Sequence, residues 1–287
     1  IEKIIKPTKE DIEKLNKIKT KLLEERNKRI PPFFDDKTQI DLNAYWLSTL
    51  NFVAEILDRE DWKKIVKDNF KIIKSLTNNE IFHCYKEKEG VKVFLEDYVY
   101  LSQLMINLYE STGEISYLND CKKIMKKTLD LFYDKDKKIF QKNPINDNDL
   151  FVPPSDINDH NIPNGNSIFL INSKKLENIT GEKVWKNISD ELSQSFHSFL
   201  NLHATQMVSY MKNLNMCEEL TAFTFFGNFE KYKDVYQYVK RKYLKSSVLI
   251  YKKDSNENYL IVCKNQTCSN KIKTLKELKS VEKNYVV

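Results

Sequence analysis

The chain has 287 residues, 47 of them Lys or Arg and 41 Asp or Glu, for a formal net charge of +6. That length can bury a sizeable core, as one large domain or one domain with an appendage. The Lys excess reads as solvated helix faces; there is no Arg-rich stripe with interleaved aromatics, which argues against nucleic acid, and no apolar run long enough for a membrane span.

Residues 9–29 read as a polar helix with a thin apolar stripe of Ile12, Leu15, Ile18 and Leu22. Pro31-Pro32 ends it. Around that break Arg26, Arg29, Asp35, Asp36 and Lys37 crowd together just ahead of the next helix. Two readings stand side by side. The arginines brace the aspartates in salt bridges at a helix start, or the group lines a polar cleft where like charges raise a carboxylate pKa.

Segment 42–57 is apolar nearly all round, with Tyr45, Trp46, Leu47, Leu50, Phe52, Val53, Ile56 and Leu57, and predicts a helix buried on most sides. Segment 61–76 carries one apolar stripe and an opposite face of lysines, so it predicts a peripheral helix. The alternation repeats. Segment 94–110 is apolar on several sides and closes on Gly113, while 117–132 is amphipathic. A third pair covers 166–179 and 184–199, with Gly181 in the link, and a seventh helix is expected over 204–213. A buried helix followed by an amphipathic one, repeated, is the pattern of stacked helical hairpins. The runs 81–85 and 91–93 read as a small β-hairpin. From 217 onward β-type runs at 221–226, 247–251 and 259–263 alternate with helical segments at 229–244 and 274–283, a small α/β appendage.

Several polar groups could carry chemistry. Glu96 and Asp97 open a buried helix, where they complement the helix dipole; on the other reading Glu96 shares a polar strip with Tyr100 and Asn107. The loop from Asp156 through Asp159, His160, Pro163, Asn164 and Gly165 to Asn166 and Ser167 delivers the chain into an inner helix. It reads as a turn with Gly165 in a conformation costly for other residues and Asn166 or Ser167 as N-cap; its bare N–H groups suit an anion or a hydroxyl. The histidines His83, His160, His197 and His203 show no metal-ligand spacing, so no metal and no cofactor are expected. Five scattered cysteines are not a secreted disulfide framework and favour a reducing intracellular compartment. Cys263 and Cys268 read as a reduced pair or a local disulfide.

These residues resemble the spermatogenesis-associated protein 20 family, in which a thioredoxin-like domain precedes an (α/α) toroid. Arg26, Arg29, Pro32, Asp35, Asp36 and Lys37 match its Arg-Pro-Asp-Asp-Lys signature, and Asn43 sits in its Trp-Asn-Gly trio, here Leu42-Asn43-Ala44. Leu95-Glu96-Asp97-Tyr98 and Leu108-Tyr109-Glu110 are similar to its Leu-Asp-Asp-Tyr helix and that helix's Leu-Tyr-Glu end. Asp156, Asp159, Pro163, Gly165, Asn166 and Ser167 fit its Asp-rich loop, and Cys263 and Cys268 its C-terminal Cys pair.

The resemblance implies a toroid like those of six-hairpin glycosidases and N-acylglucosamine 2-epimerases, which bind sugars at the toroid mouth. By that likeness Asp35, Asp36, Lys37, Asp97 and Asp159 are catalytic candidates. Arg29, Asn43, Tyr98 as a stacking surface, Asp156, Asn164, Asn166 and Ser167 are candidates for binding a sugar ligand. The alternative is a non-catalytic toroid that docks the thioredoxin-like domain or another partner. With about seven toroid helices, opening on Ile1, the chain reads as a partial barrel: an entry segment at 1–30, toroid hairpins at 31–216 and the appendage at 217–287. The implied partners are the other half of the barrel and the thioredoxin-like domain.

Overall fold

A computed structural model describes residues 7–78, 80–86, 89–90, 92–147, 157–243, 247–265 and 267–285. By contacts the chain divides between Lys37 and Thr38, so the residues from 38 onward, helices and sheet alike, form one compact unit.

The first unit holds α1 (Lys9–Asn27), started by a capping box between Thr8 and Asp11. None of its residues is buried, and Ile12, Leu15, Ile18 and Leu22 are all exposed. Asp35 pairs with Lys37 at 3.2 Å, not with Arg26 or Arg29 as the sequence suggested. Two residues apart, that pair closes locally with no helix to hold it, and both side chains stay about half exposed.

In the second unit, β1 (Thr38–Gln39) leads into α2 (Ile40–Leu57), followed by α3 (Glu60–Leu76), β2 (Cys84–Lys86), β3 (Glu89–Gly90), α4 (Leu95–Thr112) and α5 (Ile115–Phe132). Then come β4 (Tyr133–Asp134), β5 (Ile139–Phe140), α6 (Gly165–Thr180), α7 (Lys183–His203) and α8 (Val208–Glu219). Each of α2, α4 and α6 packs on the helix that follows it, and α2, α4, α6 and α8 pack side by side in that order. The expected alternation is therefore present: α4 buries most of its residues, whereas α3 buries only Val66, Phe70 and Ile73. The hairpin turns have one cause. Each of α2, α4 and α6 ends on a left-handed residue, Asp58, Gly113 or Gly181, and the outer helix starts two residues later. Gly supplies that conformation freely at two of them.

One helix departs from expectation. α2 is the first of the row, and Leu42, Trp46 and Leu57 are exposed, with Phe52, Val53 and Ile56 half-buried. Its apolar circumference outruns the neighbours that cover it: among the described residues α4 and α3 flank it along its length, and α9 and β1 touch it at fewer points. The small hairpin also differs: β2 pairs with β3 and with β1, and His83 precedes the strand.

The C-terminal sheet has the order β7-β6-β8-β9, with β6 (Thr221–Phe226), β7 (Ser247–Lys252), β8 (Tyr259–Lys264) and β9 (Thr267–Cys268). α9 (Lys233–Tyr243) lies in the connection between the parallel strands β6 and β7, and α10 (Leu275–Tyr285) ends the unit. Phe223, Phe225, Val239, Leu249, Leu260 and Leu278 make its core. Cys263 and Cys268, cross-strand partners, form a disulfide. The sheet is bonded to the helices. Glu110 accepts from Leu249 N–H, Tyr236 donates to the Ser111 carbonyl, and Lys240 reaches Glu55. Among the described residues no helix is long and apolar enough to cross a membrane.

Candidate functional site

The inner helices start close together, and their first turns gather polar side chains. On α2, Asp41 is buried, and its N–H donates to Asp97 Oδ1 on α4 at 3.2 Å. Asp97, fully buried, also takes the Phe94 N–H at 2.8 Å, which caps α4. His83 Nδ1 lies 3.1 Å from Asp97 Oδ1 and 3.9 Å from Asp41 Oδ1, and its Nε2 is 3.3 Å from the Gln39 amide. Burial, reinforced by Asp97, pushes the Asp41 carboxyl pKa up. Burial does the same to Glu96, whose Oε2 is shielded with no hydrogen-bond partner. The hydrogen bond to Asp97 raises the His83 pKa. Proton affinities displaced together mark this rim as a candidate site.

The start of α6 is held differently. Asn164, not Asn166 or Ser167, is its N-cap, its side chain accepting from Asn166 N–H at 2.9 Å. Gly165 has no left-handed backbone; the expected strain is absent. Its hydrogen is needed because a Cβ there would lie 2.8 Å from Leu95 Cδ2 and 3.0 Å from Glu96 Oε1. Asn166 is a buried brace, exchanging two bonds with the Phe140 backbone. Ser167 donates to or accepts from Ser209 at 2.6 Å. Asp159 accepts from Asn164 N–H at 2.8 Å, from Ser209 N–H at 2.6 Å and from the Ser209 hydroxyl, tying α6 to α8.

Beyond this rim a groove of about 430 Å³ runs along all four inner helices. Tyr45, Ser48 and Asn51 line it from α2, Gln103 and Asn107 from α4, Asn172 and Lys175 from α6, and Ser209, Lys212 and Asn213 from α8. Asn107 donates to Ser48 Oγ at 2.6 Å and Asn172 to the Val99 carbonyl at 2.9 Å, which fixes their amides. Gln103 makes no hydrogen bond among the described residues. Tyr45 and Tyr100 sit with ring centroids 4.9 Å apart, and Tyr100 donates to the Pro163 carbonyl at 2.6 Å.

The residues singled out in the sequence fall into groups. Asp97, Asp159, Asn164 and Ser167 meet at the starts of inner helices, each in internal hydrogen bonds. Tyr98 is not a stacking surface: it is 1% exposed, edge-on to Phe132. One residue beyond Asp97, it is turned about 100° around the helix, into the layer between α4 and α5. Asn43 is exposed and donates to the Gln39 carbonyl at 2.7 Å. Arg29, Asp35, Asp36 and Lys37 are exposed in the first unit. Asp156 lies outside the described residues.

Sequence reasoning missed Asp41, His83 and Gln103 as site residues. Asp41 and Asp97 are first-turn acids of successive inner helices, and that repeat was the available signal. His83 is brought in by the β1–β2 pairing, which has no local signature. No protein-family model and no curated protein match the chain.

Proposed function

We propose that α2 to α8 are part of an (α/α) toroid of the sugar-binding kind, and that a small polyhydroxylated ligand binds in the groove along α2, α4, α6 and α8. The observation that carries this reading is the lining: amides and hydroxyls from four helices, set among the apolar side chains of Phe52, Ile168, Ile171 and Met216, around about 430 Å³. Amides both donate and accept, as vicinal hydroxyls require, and Tyr45 offers an aromatic face for the apolar side of a sugar ring. The volume falls within the roughly 300–1,000 Å³ typical of small-molecule sites. For chemistry on such a ligand, epimerase- or glycosidase-like, Glu96, whose proton affinity burial raises, is the candidate acid at the rim.

The test is calorimetric titration with a panel of neutral mono- and disaccharides, on the wild type and on Gln103→Leu. Gln103 braces nothing, so its loss removes a ligand partner and leaves the fold intact. We expect at least one sugar to bind, about 2–10-fold more weakly to the variant, as one lost hydrogen bond predicts. No binding across the panel, or equal binding to both proteins, rejects the reading.

A second reading, a non-catalytic docking toroid, has its own support. Asp97, Asp159, Asn166 and Ser167 all serve as internal braces, and Leu42 and Trp46 on α2 are 43% and 54% exposed. On this reading α2 receives the next inner helix of the toroid, from the other half of the same parent. Trp46→Lys would then abolish association with that half, co-expressed as a separate chain, without lowering the melting temperature; unchanged association rejects it.

A further inference from the structure

The rim offers a second chemistry, independent of any ligand in the groove. Asp41, His83 and Asp97 come from α2, from the segment ahead of β2 and from α4, and each presents one ligand atom within 4.8 Å of the others. We propose that these three side chains hold a divalent first-row metal ion, with His83 binding through Nδ1.

Geometry is the first argument. Ligand atoms about 2.1 Å from a common ion lie roughly 3–4 Å from one another. The imidazole nitrogen already sits 3.1 Å and 3.9 Å from the two carboxylate oxygens, close to the spacing that ligands of one shared ion take. Charge is the second. Asp41 and Asp97 are 8% and 0% exposed, and Glu96 beside them has a carboxylate oxygen shielded from water and without a partner. Two buried carboxylates, Asp41 and Asp97, face the one imidazole of His83. Buried negative charge in excess calls for a cation.

The third argument is orientation. Metal-binding imidazoles and carboxylates are held by hydrogen bonds behind them. Here the far ring nitrogen of His83 meets the Gln39 amide, Asp97 takes the Phe94 and Asp41 N–H groups, and Asp41 takes the Leu42 N–H at 2.7 Å. One imidazole with two carboxylates suits Mn²⁺, Fe²⁺ or Zn²⁺ better than Ca²⁺, which prefers an all-oxygen cage.

The opposing account is a plain His–Asp brace, with Nδ1–H donating to Asp97. Titration of the metal-stripped chain with CoCl2 separates the two, because cobalt bound to the site gives visible d–d absorption and competes with ZnCl2. We expect one Co²⁺ per chain, displaced by Zn²⁺. Asp41→Asn and His83→Gln should each bind at least about 10–100-fold more weakly, and Asp61→Asn, an exposed carboxylate on α3, should bind as the wild type does. Circular dichroism checks that the variants are folded. No change from the spectrum of aqueous Co²⁺ in the wild type, or a changed spectrum that survives both rim substitutions in folded protein, overturns the proposal.

Discussion

Lys240 ties α9, which packs on the C-terminal sheet, to α2 and α4, and removing it should be costly. Its ammonium lies 2.7 Å from Glu55 Oε2, 3.2 Å from the Ser111 carbonyl and 4.3 Å from the centre of the Tyr236 ring. The two side chains are 4% and 7% exposed. Lys240→Met keeps most of the aliphatic stem and deletes the charge, stranding Glu55. A buried charge left alone costs about 3–5 kcal/mol. Lys63, 3.4 Å from the same Glu55 oxygen, stays and offsets part of that. We therefore expect a loss of about 2–4 kcal/mol, or a melting temperature lower by about 5–15 °C. The double variant Lys240→Met/Glu55→Leu removes both charges and should recover about 1–3 kcal/mol relative to the sum of the single losses. Urea unfolding of the four proteins measures the cycle. A Lys240→Met protein as stable as the wild type, or strictly additive losses, would refute the claim that this pair holds the junction.

Gly165→Ala should destabilise, although Gly→Ala inside a helix normally gains up to ~1 kcal/mol. The new Cβ meets Leu95 at 2.8 Å, and overpacking of about 1–3 kcal/mol outweighs a small first-turn gain. A raised melting temperature would show the space to be there.

How much was legible follows from how far each signal reaches. The alternation of inner and outer helices is written in local periodicity, and α4 and α5 follow it closely. The open face of α2 is not, because an all-round apolar helix says that it could be covered and not by what. The sequence points to Asn166 or Ser167 as the cap and the structure has Asn164, since all three side chains have the chemistry and only the backbone turn at Asn164 chooses. Tyr98 and Tyr100 have the same character in sequence. One packs in the core, and the other hydrogen-bonds to the Pro163 carbonyl beside the groove. The His83–Asp97 contact depends on a three-stranded sheet of very short strands, too short to announce itself.

Asp159 shows how a residue with the look of a catalyst can be a latch, and a single isosteric change separates the two roles. Both of its oxygens accept: Oδ1 from Asn164 N–H and the Ser209 hydroxyl, Oδ2 from Ser209 N–H. Those donors start α6 and α8, so the carboxylate closes two helix ends that would otherwise leave N–H groups unmade. Asp159→Asn keeps the shape but puts an NH2 where an oxygen stood, and whichever way it turns, it faces a backbone N–H. One donor loses its acceptor and meets another donor, and charge-assisted bonds weaken to neutral ones, for an expected loss of about 1–3 kcal/mol. A free general base would behave oppositely, since its amide isostere abolishes proton transfer and leaves the fold untouched. Thermal melting of Asp159→Asn therefore decides the matter: a fall of several degrees assigns Asp159 to the joint between α6 and α8, and an unchanged melting temperature returns it to the list of candidate catalysts.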